Sequence, residues 1–333
     1  MKNLYVGLMS GTSRDSLDGC LVSFQDGLNV LACETLNFSE GYQTSEDQTL
    51  IDKEITTKSI ELVNNLTKNK EQNVVAIAFP GQTISHNDDF SLQAGSPEII
   101  AKQTKIPVYS DFRNFDISKG GKGAPLIPAF HKYLLSEKGK EKLVLNIGGI
   151  CNGTYLKDDQ ILHSSDIGPG NCLLDATMRN FNLGKFDEDG FLASKGQVDS
   201  TLLKELLDQI DFLSYPRADD LSVYINLIEK NEKALNKKTP EDILCTFIEL
   251  TVKKIEEYFI FCGAPARVIF HGGGIENKYL MERIKETIGC ATPESELQEM
   301  EIRGRNLAEG VPNTLSISSL EVYEAMSGPL SSI

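Results

Sequence analysis

The sequence predicts an α/β protein of two domains that repeat one order of elements. At 333 residues, the chain is longer than one simple core requires, since a typical domain has roughly 150 residues. A meander of short apolar strands opens the chain, and a second meander begins near residue 142. Each meander is followed by alternating helices and strands. This order, present twice, predicts two ribonuclease-H-like domains that flank a ligand cleft. We expect the first domain over residues 1–138, completed by about 318–333, and the second over 139–317.

The first domain begins with apolar segments that alternate with turn-forming residues. Asp26-Gly27 is a turn signal between two of these segments. Ser45–Lys68 is polar with apolar residues at helical spacing, which predicts a surface helix. We expect strands over Leu4–Met9, Gly19–Phe24, Val30–Phe38, Val74–Phe79 and Ile106–Ser110, and a helix through His131–Leu135.

The second domain repeats the pattern with three short strands joined by tight turns. A long amphipathic helix follows over Asp242–Cys262, and a strand then leads into three consecutive glycines. We expect strands over Lys142–Ile147, Gly153–Leu156, Gln160–Ser164 and Arg267–Phe270, and further helices over Leu173–Phe181 and Lys278–Thr287.

Composition excludes several classes of protein. The net charge is −15, with 48 acidic against 33 basic residues, which argues against a general nucleic-acid binder. No apolar run approaches the roughly 18 to 20 residues that a membrane span needs. Seven scattered cysteines without a Cys-x-x-Cys pair are typical of reduced thiols in the cytoplasm. We therefore expect a cytoplasmic protein that binds neither nucleic acid nor membrane.

Four turns of small residues stand at the strand ends where this architecture places its cleft. Such turns expose backbone N–H groups that can surround phosphate oxygens or let a flat base approach. Any one of them alone is more often a plain turn, but four at matched positions favour a nucleotide site. Neither a Gly-x-Gly-x-x-Gly dinucleotide motif nor a P-loop motif occurs. The turns are Gly11-Thr12-Ser13, Asn146–Asn152, Asp166–Asn171 and Gly272-Gly273-Gly274.

Longer motifs give the chain a specific resemblance. Leu8–Ser13 with Asp15 and Asp18-Gly19 is one motif, and Gly120–His131 is the most distinctive. The other matching segments are Gly81-Gln82-Thr83, Leu92–Pro97, Val108–Arg113, Asn146–Asn152, Asp166–Asn171 with Leu174-Asp175, Phe186–Gly190, and Gly272–Gly274 with Asn277. Collinear from residue 4 to about 285, the chain resembles the anhydro-N-acetylmuramic acid kinases of the actin/hexokinase/heat-shock-chaperone superfold.

This resemblance implies a reaction in which ATP and water convert 1,6-anhydro-N-acetylmuramic acid into its 6-phosphate during cell-wall recycling. It implies that Asp166 is the general base, that Asp15 and Asp18 orient Mg²⁺ through water, and that the enzyme is a homodimer. The implied sugar ligands are Gln82, Thr83, Arg113 and Glu321. The implied ATP ligands are Ser10, Gly11, Thr12, Ser13, Asn146, Gly148, Gly149, Asn152, Gly168, Gly170, Asn171, Gly272, Gly273, Gly274 and Asn277.

The chain departs from the family pattern at three positions and, most of all, in the segment beyond Gly289. Ser16 stands where glycine is usual, Pro80 where histidine is usual, and Phe115 where an arginine resembles a ligand of the sugar carboxylate. A guanidinium is the natural partner of that acid, so two alternatives stay open. They are a kinase for another anhydro sugar such as levoglucosan, and a catalytically degraded binding protein.

Three polar side chains also have plain structural interpretations. Asp166 could instead cap the helix that follows it, and Asp175 could be a buried partner of the backbone or of a neighbouring helix. His131 could pack against or orient the glycine-rich loop that precedes it.

Overall fold

The computed structural model describes residues 3–11, 14, 16–25, 27–39, 41–42, 45–68, 73–87, 89–210 and 214–289. These residues form two compact units that meet in the sequence between Phe130 and His131. The domain boundaries predicted from the sequence stay a prediction, and the closing segment expected over 318–333 lies outside the described residues.

The first unit is built on a mixed sheet. Among the described residues, five strands follow the order β3-β2-β1-β4-β7, in which the β1–β2 and β2–β3 pairs are antiparallel and the β1–β4 and β4–β7 pairs are parallel. The strands are β1 (Leu4–Ser10), β2 (Ser16–Ser23), β3 (Asn29–Asn37), β4 (Val74–Ala78), β5 (Gln82–His86), β6 (Ser91–Ala94) and β7 (Val108–Tyr109). The helices are α1 (Gln48–Thr67), α2 (Pro97–Thr104) and α3 (Phe112–Ser118), with α4 (Pro128–Leu135) reaching into the second unit.

Helix α1 covers one face of this sheet. Its start is fixed by Asp47, whose side chain accepts hydrogen bonds from the backbone N–H groups of Thr49 and Leu50. Its apolar positions, among them Ile55 and Leu62, are fully buried against the strands. The β5–β6 hairpin was not predicted from the sequence, and it carries Gln82 and Thr83 at its first strand.

The second unit repeats the meander. In the described part of this unit, four strands follow the order β10-β9-β8-β11, with β11 parallel to β8 and the other pairs antiparallel. The strands are β8 (Glu141–Ile147), β9 (Ile150–Lys157), β10 (Gln160–Pro169) and β11 (Val268–His271). The helices are α5 (Cys172–Asn180), α6 (Ser200–Ile210), α7 (Leu221–Lys230), α8 (Glu232–Leu235), α9 (Pro240–Phe261) and α10 (Lys278–Ile288).

One face of this second sheet is apolar, and α9 packs against that face. Thr239 caps α9 through the Asp242 N–H, and a proline at its first position favours helix initiation. Most of the 22 residues of α9 are buried. On the sheet side, Leu145, Ile147 and Ile167 belong to the same core. Because side chains alternate along a strand, the polar residues beside them point to the opposite face.

The predicted fold class is confirmed, since each unit combines a three-stranded meander, a parallel strand and packed helices. One prediction of local structure was wrong: Asp166–Pro169 is not a turn but the last stretch of β10. The turn begins only at Gly170, because the backbone of β10 stays paired with β9 as far as Pro169. Of the helices that the structure describes, none is long and apolar enough to cross a membrane.

Candidate active site

Four polar side chains lie in line across the second sheet. Asp166 is paired with Asn152, Asn152 with Asn146, and Asn146 with His271, so these residues occupy one level on four neighbouring strands. Directly paired residues in a sheet project to the same face. We call this set the polar row. It lies on the face opposite the apolar core of the unit, since Ile147, the neighbour of Asn146 along β8, belongs to that core.

Asp166 is a buried carboxylate with a fixed orientation. Its side chain is 6% exposed, and its Oδ2 accepts a hydrogen bond of 2.8 Å from the Asp219 backbone N–H. Its own N–H donates to the Arg217 carbonyl oxygen at 3.0 Å. The alternative that Asp166 caps α5 is wrong, because Asp166 lies on β10 and α5 begins only at Cys172.

Asp175, for which a partner role was equally open, lies in the first turn of α5, where its backbone N–H donates to the Asn171 carbonyl oxygen at 2.8 Å.

The segment that holds Asp166 is itself fixed by a buried ion pair. Arg217 Nε donates to Asp219 Oδ2 at 2.9 Å, and both side chains are less than a tenth exposed. The Tyr224 hydroxyl, on α7, donates to the same oxygen at 2.5 Å. The guanidinium also donates to the Ile167 carbonyl oxygen, and this contact joins the segment to the residue that follows Asp166. We call Arg217, Asp219 and Tyr224 the clamp.

Two of the predicted glycine turns are bonded to each other. Gly170 N–H donates to the Gly149 carbonyl oxygen at 3.0 Å, and Asn171 N–H donates to the Gly148 carbonyl oxygen at 2.8 Å. A Cβ placed on Gly170 would lie only 2.2 Å from the Gly148 oxygen, so glycine alone permits this approach. Asn171 precedes α5 without capping it through its side chain. The end of β8, the end of β10 and the start of α5 therefore form one backbone cluster.

The third glycine turn packs on the same cluster. Gly272 has a φ of +91°, and a Cβ there would lie 2.4 Å from Asn146 Oδ1, while one on Gly274 would lie 2.2 Å from Ile147 Cγ2. Asn277 ends the turn by capping α10 through the Leu280 N–H at 2.9 Å. The predicted ATP residues of the second unit are thus brought together. Gly168 is a partial exception, because it lies on β10 facing Lys254 of α9.

A buried histidine, His131, contacts the partly buried His271 at the end of the polar row. His131 Nε2 lies 2.8 Å from His271 Nε2, and His131 Nδ1 lies 2.8 Å from Thr154 Oγ1. Burial, with a smaller contribution from His271, lowers the pKa of His131 well below its usual value. Burial also lowers the pKa of His271 to about 4. Both rings are therefore neutral near pH 7, and one Nε2–H donates to the other ring. The contact joins α4 to the last residue of β11.

In the first unit, the predicted loop after β1 is anchored by a buried glutamine. Ser10 Oγ donates to Gln82 Oε1 at 2.5 Å, and Gln82 Nε2 donates to the Gly11 carbonyl oxygen at 3.3 Å. Gln82 is fully buried. Its amide therefore fixes the end of β1, which gives Gln82 a structural task in addition to the predicted sugar contact.

The other predicted sugar residues of the first unit also have protein partners. Thr83 Oγ1 donates to Gln93 Oε1 at 3.0 Å. Arg113 Nη1 donates to the Gly123 carbonyl oxygen at 2.9 Å, and Asp116 Oδ2 accepts from the Gly123 N–H at 2.7 Å. Two side chains of α3 therefore hold the glycine-rich loop, one through the carbonyl oxygen and one through the N–H of Gly123. Phe115, on α3, is 55% exposed.

Four predicted site residues lie outside the described residues, namely Thr12, Ser13, Asp15 and Glu321. Asp18 lies on β2, where its Oδ1 accepts a hydrogen bond of 2.5 Å from Thr35 Oγ1. Among the residues that the structure describes, no group of three or more histidine, cysteine, aspartate or glutamate side chains is arranged to hold a metal ion.

Comparison with known proteins identifies the family. Residues 3–307 match the sequence profile of the family described as anhydro-N-acetylmuramic acid kinase. The chain belongs to this family. Curated relatives of that name include one from the gamma-proteobacterium EBAC31A08, which is 35% identical over 306 residues, covering 86% of this chain and 84% of the relative. Another, from Shewanella baltica OS185, is 38% identical over 309 residues, covering 85% and 84%. Membership in this kinase family confirms the resemblance drawn from the motifs and the expected class of ATP-dependent sugar kinase.

Solved structures outside this family give weaker likenesses. Component A of the Acidaminococcus fermentans (R)-2-hydroxyglutaryl-CoA dehydratase has a TM-score of 0.47 at 11% identity, covering 86% of this chain and 89% of that one. A ROK family glucokinase from Streptomyces griseus, solved with glucose and AMPPNP, has a TM-score of 0.41 at 10% identity, covering 86% and 88%.

Sequence reasoning missed the clamp and the pairing partner of His131. Tyr215–Asp220 is a short segment rich in charged residues, but its contact with Asp166 joins positions about fifty residues apart. Such contacts depend on how α7 packs and leave no periodic signal.

Proposed function

We propose that this kinase converts 1,6-anhydro-N-acetylmuramic acid, ATP and water into N-acetylmuramic acid 6-phosphate and ADP, as a step of cell-wall recycling. The observation that carries the proposal is the buried, oriented carboxylate of Asp166 beside the clustered glycine turns, in a chain of this family. The alternatives, a kinase for another anhydro sugar and a degraded binding protein, are not favoured by relatives that carry the name of this kinase.

Asp166 is the general base in this proposal. It accepts a proton from water as the water oxygen forms a bond to the anomeric carbon. The bond between that carbon and O6 breaks, O6 forms a bond to the γ-phosphorus, and the bond from that phosphorus to the ADP oxygen breaks. The Asn152 amide, next to Asp166 in the polar row, is in this proposal a ligand of the ATP phosphates, as the resemblance implies.

The glycine turns bind the nucleotide. Gly148 and Gly149 offer backbone N–H groups without side chains, Gly170 lets the two turns approach each other, and the N-terminus of α5 adds a favourable dipole for phosphate oxygens. The turn at Gly272–Gly274 leaves space for a flat ribose or base. In the first unit, Ser10 and Gly11 with Thr12 and Ser13 supply a second phosphate loop.

The sugar is bound by Gln82, Thr83 and Arg113, with Glu321 at a further position. Arg113 Nη1 donates to the Gly123 carbonyl oxygen. In this proposal the guanidinium is also the partner of the sugar carboxylate, for which planar bidentate donors are suited.

We propose from the family resemblance that Asp15 and Asp18 orient Mg²⁺ through water. The ion usually keeps several waters and binds through one or two carboxylates together with phosphates. When bound, Mg²⁺ neutralises phosphate charge. We further propose, from the family resemblance, that the enzyme is a cytoplasmic homodimer.

A coupled ADP-release assay with Mg-ATP and 1,6-anhydro-N-acetylmuramic acid tests the proposal. Asp166→Asn should lower kcat by about 10²- to 10⁴-fold, the usual contribution of a general base, with little change in KM. Asp199→Asn is the matched control. Asp199 is ion-paired with Lys238 and accepts from the Leu202 N–H in the first turn of α6, and it has no proposed role in catalysis. Turnover on levoglucosan alone would refute the substrate, and full activity of Asp166→Asn would refute the base.

A further inference from the structure

The clamp is more polar than its position in the core requires. Arg217 and Asp219 are 7% and 4% exposed, and Tyr224 is fully buried. A buried ion pair rarely adds net stability, because the cost of removing both charges from water is as large as their attraction, and apolar residues of similar volume are often as stable. Such a cluster is better explained when it fixes the geometry of something beside it.

What the clamp fixes is the Asp166 carboxylate. The Asp219 side chain is held by Arg217 Nε at 2.9 Å and by the Tyr224 hydroxyl at 2.5 Å. The backbone N–H of the same Asp219 donates to Asp166 Oδ2 at 2.8 Å. A change at the Asp219 side chain therefore moves the group that sets the rotation of the Asp166 carboxylate.

The clamp also holds the backbone on both sides of Asp166. Ser165 Oγ accepts from the Arg217 N–H at 2.9 Å, the Arg217 carbonyl oxygen accepts from the Asp166 N–H at 3.0 Å, and the guanidinium donates to the Ile167 carbonyl oxygen. These three contacts replace the pairing partner that β10 lacks on its outer edge, since β10 is the last strand of its sheet in the described residues.

We propose that Arg217, Asp219 and Tyr224 are positioning residues that hold the Asp166 carboxylate in the orientation needed to accept the proton of the attacking water. The inference rests on the proposed role of Asp166 as the base. In this proposal none of the three residues is a substrate ligand, and their effect passes through Asp166.

Two variants probe the clamp with different severity. Tyr224→Phe removes one hydroxyl and leaves the ion pair, and Asp219→Asn keeps the shape but removes the charge. We expect kcat to fall by about 10-fold in the first and about 100-fold in the second, since a misplacement of about 1 Å can cost that much. KM for ATP and for the sugar should stay within about twofold, because binding groups are untouched.

Glu249→Gln is the matched control for Asp219→Asn. Glu249 is a buried partner of Arg283, at 3.0 Å, on α9 and α10, and it lies outside the proposed machinery. It should lower the melting temperature as Asp219→Asn does while kcat stays unchanged. If Asp219→Asn does not fold, Tyr224→Phe carries the test, because it deletes a single oxygen atom.

The decisive measurement repeats both variants in an Asp166→Asn background. If the clamp acts through Asp166, the second change adds no further loss to the residual kcat, since the effects of residues that act as one unit are not additive. Equal losses in both backgrounds, or an unchanged kcat in the wild-type background, would overturn the inference. Full activity of Asp166→Asn alone would instead refute the proposed role of Asp166 as the base, and the positioning role of the clamp would then be refuted as well.

Discussion

Gly148→Ala separates phosphate binding from fold stability at the second glycine turn. A Cβ on Gly148 would lie 3.4 Å from the Ile150 carbonyl oxygen and 3.8 Å from Asn146 Nδ2, both ordinary van der Waals distances. The new methyl group therefore fits without movement. It lies beside Asn146, on the side of the polar row, where the phosphate is proposed to bind.

The magnitudes follow from this geometry. An unstrained glycine-to-alanine change stabilises by about 0.4–1 kcal/mol, because the unfolded chain loses freedom, and this raises Tm by about 1–4 °C in a unit of this size. A methyl group that prevents one hydrogen bond to a charged phosphate costs about 1.5–3 kcal/mol. That cost corresponds to an affinity for ATP about 10- to 150-fold lower.

Isothermal titration with a non-hydrolysable ATP analogue and a thermal melt measure the two effects independently. Gly170→Ala is the contrasting variant, since its Cβ would lie 2.2 Å from the Gly148 oxygen and the turn must shift by about 1 Å. It should lower Tm and affinity together, with an overpacking cost of about 1–3 kcal/mol. An unchanged affinity in a well-folded Gly148→Ala would refute the phosphate role of this turn.

Three further outcomes are expected. Burial lowers the pKa of His271 to about 4, so the unfolded chain binds a proton that the folded chain does not as pH falls from about 6.5 to 4. The unfolding free energy should therefore drop by about 3 kcal/mol from this group. Urea titrations at several pH values measure the drop, and an equal loss of unfolding free energy in wild type and His271→Gln would contradict the prediction. Cys20 and Cys33 are directly paired across β2 and β3, and a hydrogen bond from the Cys20 thiol lowers the pKa of Cys33. Treatment with diamide should therefore form an intramolecular disulfide between them, with a mass loss of about 2 Da. Alkylation of both Cys20 and Cys33 after the treatment would contradict this prediction. Gln82→Leu removes the bonds of the amide to Ser10 and Gly11 and leaves the Ser10 hydroxyl only the Ser16 carbonyl oxygen at 3.5 Å. It should cost about 1–3 kcal/mol of unfolding free energy by chemical denaturation, and a change below about 0.5 kcal/mol would argue against the anchor.

The sequence predicted the elements that have strong local signals. Gly170 and Gly272 were recognised because turns that tolerate no Cβ leave a visible glycine, and Gly148 was recognised as part of a run of small turn residues. The long helix α9 was recognised from its apolar periodicity, and its predicted range of Asp242–Cys262 differs from the observed one by two residues at the start and one at the end.

Other features depend on tertiary contacts and could not be predicted. The extension of β10 through Asp166 was missed because Gly168 and Pro169 are typical turn residues, yet pairing with β9 keeps the backbone extended there. The contact between Asp219 and Asp166 needed the position of α7, and that of His131 with His271 joins residues 140 positions apart. No local pattern encodes such distances.

The polar row makes strand alignment part of the chemistry. Asp166, Asn152 and Asn146 share a level only because three strands are paired in one register, and the apolar residues next to them, such as Ile147, hold that register by burial. Removing the first residue of β9, which precedes Cys151 and Asn152, would turn every following side chain of that strand to the opposite face. Asn152 would then face the apolar core and Cys151 the ligand. The enzyme should therefore tolerate many single replacements along β9 yet lose function with this one-residue deletion, so the spacing of its residues is as much a determinant of catalysis as their identity.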